Sequence, residues 1–335
     1  MACVSSIAPG PSPLLSRPGA VASPTEPELA WHYGDPLGEQ RAAARGPVLM
    51  DGWSRGTVVV SGADRSAWLN ALASQDFEAL GDGAVSEALW LSPRGHIEHQ
   101  AHVRVTDDEI ELRTESAATA ASLAEFLRSR RFRSAVDVRD SSSEVAPLEL
   151  VDGDVTSFVT VPRGEFGARA AALIADGRRP VGTWARDALA VAARRPRFGA
   201  DNDDRTLPHE MPYWLAAAVS LTKGCYCGQE TVARIENIGA PPRRLVLLNL
   251  DGSGDVLPAT GDQVQLADGT VVGRVGTVAQ HWEDGPIALA LVKRAVAPGV
   301  PLTAGGVDAL IDPEDVVPPG PKRVYDRRQF VDLRR

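Results

Sequence analysis

Residues 88–116 read ALWLSPRGHIEHQAHVRVTDDEIELRTES, and no other stretch limits the fold as much. Apolar and polar positions alternate, and Ser92-Pro93-Arg94-Gly95 and Thr106-Asp107-Asp108-Glu109 each place a turn signal between alternating runs. A strand on each side of both turns is therefore predicted, which makes an antiparallel meander. The period then changes from two to 3.6: AATAASLAEFLRSR (117–130) predicts an amphipathic helix, and SAVDVRD a further strand. Upstream, TVVVSG (57–62) reads as a β-branched strand, and 64–74 carries Trp68, Leu69 and Leu72 at helical spacing. Strands followed by helices in this order predict an α+β layer.

A chain of 335 residues exceeds one ordinary core, so two or three units are expected. Strands are expected near LELV and SFVTVP and a helix in ARAAALIAD, all within 144–176. From Thr183 to Arg194, Trp184, Ala188, Val191 and Ala192 fall on one helical face. Residues 244–311 hold short strands divided by Asp-Gly and Gly-Asp turns, the pattern of a small barrel. The expected organisation is a disordered tail over 1–30, an α+β region over 31–240 built of two intertwined parts (about 45–140 and 141–240), a barrel over 241–312, and a Pro-rich linker with a basic tail over 313–335.

Composition excludes several classes. A net charge of −9 argues against nucleic acid as a main partner, and no run of about 18 apolar residues predicts a membrane span. Three cysteines do not build a disulfide framework, so a reducing compartment, the cytoplasm, is expected, with Cys3 a bystander in the tail.

The stretch LTKGCYCGQETVARIENIG (221–239) carries chemistry. Gly228 is placed to open a helix that ends near Asn237, before Gly239, Pro241 and Pro242. Cys225 and Cys227 then lie just ahead of a helix N-terminus, where unpaired N–H groups and the Lys223 ammonium favour a thiolate. Gly224 and Gly228 allow a tight backbone path or close approach to a ligand. The alternatives are that the cysteines are small hydrophobes in an ordinary loop, or that they bind metal, although C-x-C offers only two of the roughly four ligands of a closed zinc site.

The string KGCYCGQE resembles the K-G-C-[FY]-x-G-Q-E signature of the YgfZ family of folate-binding proteins, relatives of GcvT, the aminomethyltransferase of the glycine cleavage system. LWLSPRGHI, RRPRFGADNDDRTLPHE, VARIENIGAPPRRL and GRVGTVAQHWEDGPIALALVKR extend the similarity over about 48–311. The resemblance implies an α+β, three-domain ring: a ferredoxin-like domain, a second α+β domain and a C-terminal β-barrel around a central hole that holds tetrahydrofolate or a one-carbon derivative. It also implies a role in maturing or repairing iron–sulfur enzymes, with those enzymes or cluster-assembly proteins as partners. By the same analogy Cys225 is the functional thiol and Lys223 its electrostatic neighbour, with Gly224, Tyr226, Gly228, Gln229 and Glu230 completing the signature. Cys227 sits at the variable position and opens a C-x-C redox or metal option.

Departures from the transferases are visible too. The aspartate that follows their Gly-rich turn has no match in GHIEHQAHV, where Glu98 fits only with a one-residue shift, so aminomethyl transfer lacks its expected group. An acidic position of helix 183–194 is replaced by an alanine near Ala192. Glu210 of TLPHE is the better site candidate, with helix capping as its alternative role. On a regular strand His96, Glu98, Gln100, His102 and Arg104 share one face and His99 the other, a polar surface fit to line the folate hole rather than a metal site. Arg131 and Arg133 of RSRRFR are candidates for the folate carboxylates, or else cations complementing a helix C-terminus. A folate-dependent methyl- or aminomethyltransferase and a folate-free interaction platform are the rival functions.

Overall fold

The computed structural model describes residues 10–317 apart from positions 154 and 255; Cys3 and most of the basic tail lie outside the described residues. A five-stranded antiparallel sheet has the order Val85–Leu91, Ile97–Val105, Glu109–Thr114, Gly56–Ser61, Asp137–Asp140. The predicted meander is its first half. Helices Arg65–Leu72 and Ala117–Arg128 bury Leu69, Leu123 and Leu127 against Val58, Ala101 and Leu112 of this sheet. The longer helix starts where Ser116 and Thr119 cap one another, and it presents Ala120, Leu123, Ala124 and Leu127 on one buried stripe.

A second sheet, in the order Val155–Pro162, Val145–Asp152, Pro47–Asp51, Arg179–Val181, is antiparallel except for its last pair. Pro47–Asp51 is a central strand here, although the division near residue 141 puts it in the first part; the first part lends this strand to the second sheet. Phe166 of helix Phe166–Ala175 seals one face with Leu49 and Leu148. Ala185 of helix Thr183–Ala192 packs with Val48, Met50 and Val181.

The expected barrel closes with six strands, Arg243–Leu250 pairing with both Gly285–Lys293 and Val307–Ile311. Its first strand is apolar on both faces for a reason. Val246, Leu248 and Leu250 fill the barrel, while Leu245 and Leu247 face outward into a core shared with Leu91, Trp214 and Tyr226. No helix among the described residues is long and apolar enough to cross a membrane.

One expectation fails. Within 1–30, the described residues from 10 onward are not a tail but a packed segment. Leu14 and Leu29 are buried, Val21–Ala22 pairs with Ala30–His32, and the Ser12 hydroxyl donates to Asp51 at 2.5 Å. Two leucines and a few polar anchors hold a segment that is too rich in Pro, Gly and Ser to show a period.

Candidate functional site

The signature forms a loop leading into helix Gln229–Ile238, with Gly228 as its N-cap at φ 81°. This backbone conformation needs glycine, and so does the space: a Cβ would stand 2.7 Å from the Ser92 carbonyl oxygen and 3.0 Å from the Gly95 Cα. Gly224, by contrast, faces open space. Tyr226 is buried in the outer barrel core, and burial pushes its phenol up to about 12. Gln229 reaches the Lys223 carbonyl at 3.5 Å, and Glu230 is exposed.

Both cysteines are exposed, free thiols. Burial and the nearby Glu98 carboxylate raise the Cys227 thiol above its ordinary value, with Arg130 opposing them. The Lys223 ammonium has another task than the sequence implied. It donates to the carbonyls of Asn70 (2.5 Å), Ala73 (2.7 Å) and Gln75 (2.7 Å), and its Nζ also lies 3.1 Å from Asn70 Oδ1. Those oxygens close the C-terminal end of helix Arg65–Leu72, where a cation complements the orphan carbonyls. Burial brings this ammonium down to about 8. Lys223 therefore pins the signature loop to the first sheet's helix.

A cavity of about 770 Å³ lies between the two sheets, away from this loop. Its size falls in the range of small-molecule sites. Met50, Val85, Val151, Leu189 and Phe198 supply apolar wall. At one end Gln100 donates to the buried Glu87 at 2.8 Å, with Tyr213 also bonded to Glu87 and His102 Nδ1 3.6 Å away. Burial raises the Glu87 carboxyl above its ordinary value and holds His102 well below the usual imidazole value. Around the rest runs an alternating chain of charges. Arg113 pairs with Glu149, Arg55 with Glu149 (3.4 Å) and Glu115 (2.6 Å), and Arg197 with Glu115 (2.6 Å), Asp187 (3.3 Å) and Glu26 (3.0 Å). Arg186 joins Glu26 and Asp187. Burial alone would raise Glu115, yet Arg55 and Arg197 bring it down to about 2. The chain ends unevenly, because the buried Arg113 Nε has no partner.

Few of the residues singled out from sequence reach this cavity. Glu98 does not, because a β-bulge pairs Trp90 with His99 but Leu91 with Ile97 and so ejects Glu98 to the surface beside Cys227. The bulge keeps Gln100 and His102 on the cavity face and His99 on the other, against Phe126. Glu210 is fully buried off the cavity wall: it accepts from the Leu207 N–H and from Arg243 at 2.8 Å, and so closes the short 3-10 turn Pro208–Glu210, whereas helix Pro212–Ala218, which it was expected to cap, starts without a side-chain cap. Arg131 and Arg133 stand on an exposed loop, outside the wall. The wall's own arginines, with Glu87 and Tyr213, carry no sequence signal of their own, since residues far apart in the chain, on strands, loops and helices, meet only in the fold. Among the described residues no three His, Cys, Asp or Glu side chains gather to hold a metal ion.

The loop and the cavity share one element. Strand Val85–Leu91 lines the cavity with Glu87 and packs on the signature core with Leu91, four residues or about 13 Å further on.

No family model matches the chain. Over 107 residues it is 37% identical to the tRNA-modifying protein YgfZ of Escherichia coli (strain SMS-3-5 / SECEC), covering 31% of this chain and 32% of that protein. The same figures hold for the protein of that name from strain UTI89 / UPEC, so the match spans about a third of the relatives' length. The glycine cleavage system aminomethyltransferase T from Bartonella henselae has the same fold, with a TM-score of 0.75 over 89% of this chain and 94% of that one at 19% identity. The chain therefore has the fold of that aminomethyltransferase and, over about a third of its length, a sequence similar to the YgfZ proteins.

Proposed function

We propose that the cavity between the two sheets binds a folate, tetrahydrofolate or a one-carbon derivative, and that the protein is a cytoplasmic accessory factor for iron–sulfur enzymes, with Cys225 as its functional thiol. The cavity carries this reading. Its hydrogen-bonding end, Glu87 with Gln100 and Tyr213, offers acceptors and donors to the polar edge of a pterin, and its apolar wall suits the rings. The unpaired Arg113 Nε awaits an acceptor, and the arginines beside it suit the carboxylates of a glutamate tail. Bound folate would supply a carrier for one carbon.

The relatives' name attaches them to tRNA modification, so the clients proposed are iron–sulfur enzymes acting on tRNA, or the proteins that assemble their clusters. Because Cys225 is exposed and outside the cavity wall, its thiol meets the client at the surface while folate stays within. The rival reading, a folate-dependent methyl- or aminomethyltransferase, is weaker, since Glu98 and Glu210 both lie off the wall.

Anaerobic calorimetry with tetrahydrofolate tests the proposal. Micromolar affinity, about −8 kcal/mol, is expected for the wild type and for Cys225→Ala, with the variant failing to restore a client enzyme. Absence of binding at millimolar ligand would leave the interaction platform, full activity of Cys225→Ala would remove the thiol role, and turnover of a one-carbon donor would favour the transferase.

A further inference from the structure

The loop that follows helix Ala117–Arg128 is exposed in a way that folding does not require. Phe132 is 90% exposed, the most exposed of the large hydrophobic residues among the described ones, and its φ of 45° lies where bulky side chains are seldom found. Arg131 and Arg133 flank it, both exposed, and neither makes a side-chain hydrogen bond or ion pair among the described residues. The backbone around Phe132 is nonetheless fixed. Arg131 N–H donates to the Arg128 carbonyl at 3.2 Å and Ser134 N–H to the Arg131 carbonyl at 3.0 Å, while the Trp68 indole holds the Arg130 carbonyl at 3.2 Å. Arg130 lies over the Phe126 ring, with its Cζ 3.5 Å from the centroid, and its charge bears on Cys227, so the loop adjoins the thiols.

We propose that this loop docks single-stranded nucleic acid, with a base stacked on Phe132 and the phosphates on either side paired with Arg131 and Arg133. An aromatic platform between two cations is the combination that reads an unpaired strand, because every base offers a π-face and every linkage a negative charge. Such a platform gains from being held rigid in advance. The chain's overall charge of −9 opposes wide polyanion binding, so attachment rests on this local concentration of arginines and is short. An acidic polypeptide would also meet the arginines but has no use for an exposed ring. The proposal does not depend on folate, since neither Phe132 nor the two arginines line the cavity.

Fluorescence anisotropy of labelled 12-nucleotide probes with the full chain tests it: single-stranded RNA, single-stranded DNA, a 12-base-pair duplex, and poly-glutamate as a plain polyanion. The single strands should bind best, and Phe132→Ala should weaken them about tenfold, about 1.4 kcal/mol, while Phe132→Trp restores binding. Arg131→Glu with Arg133→Glu should weaken binding by at least about tenfold and flatten the salt slope by about 1.4. Unequal RNA and DNA affinities would name the strand. Loss of binding in no variant, equal affinity for the duplex, poly-glutamate binding as well as RNA, or no binding at all would each overturn the proposal. All three positions are exposed, so unchanged thermal unfolding and unchanged folate calorimetry in the variants separate this result from the cavity's.

Discussion

Glu26 Oε1 and Arg197 Nη2 meet at 3.0 Å across 171 residues of sequence, and the same carboxylate holds Arg186. A segment with the composition of a tail thus supplies the acid that joins two arginines of the cavity wall. Glu26→Gln removes the charge and leaves the buried Arg186 and the half-buried Arg197 without it. A loss of about 2–4 kcal/mol of stability is expected from the midpoint of urea unfolding. A change within about 0.5 kcal/mol would mean that the pairs contribute nothing net.

Burial raises the Asp51 carboxyl to about 6, although Ser12 and the Trp53 N–H both donate to it. An unfolded Asp titrates near about 3.9, so the folded state holds this proton more tightly. The contribution is fully present below about pH 4 and lost as pH rises through about 6. Asp51→Asn abolishes that loss, so its stability relative to the wild type should improve by about 2 kcal/mol between pH 4 and pH 7. Parallel pH profiles for the two proteins would refute it.

Lys223→Met leaves the Asn70, Ala73 and Gln75 carbonyls without their cation. The expected cost is about 2–3 kcal/mol, with faster amide exchange in helix Arg65–Leu72. Unaltered exchange there would return Lys223 to the role its place in the signature suggests.

Tyr226 behaves differently, because its buried hydroxyl has no hydrogen-bond partner. Tyr226→Phe should be neutral or stabilising by up to about 1 kcal/mol in thermal unfolding. A clear loss of stability would point to a bridging water or ligand at that oxygen.

Ala190→Trp projects an indole into the cavity from helix Thr183–Ala192. Tetrahydrofolate affinity should drop by at least about tenfold in calorimetry, since a group filling the site displaces the rings, while the fold persists because Ala190 is not in the core. Undiminished affinity would place the ligand elsewhere.

Periodicity made much of this molecule readable. The meander, helix Ala117–Arg128 and the barrel follow from alternation, a capped apolar stripe and Asp-Gly turns. Gly228 at a helix start was equally plain. The bulge at Glu98 was not: no Gly or Pro marks it, and one extra residue changes which side chains reach the cavity. The charge chain was illegible for another reason. Its members, from Glu26 to Arg197, are brought together only by the packing of two sheets and an N-terminal segment. Lys223 shows the remaining difficulty, since adjacency in sequence suggested a partner for Cys225 while the ammonium reaches back to helix Arg65–Leu72.

Two glycines from distant turns touch at Gly95 and Gly228: a Cβ on the second would stand 3.0 Å from the Cα of the first, and a Cβ on the first 2.8 Å from the Cβ of Thr231. The eight-residue signature is therefore one half of a mould whose other half is the Ser92–Gly95 turn. Anyone transplanting the thiol loop to a new scaffold, or recombining segments of two homologous chains, would have to move both halves together, because either alone meets a surface shaped for a partner with no side chain.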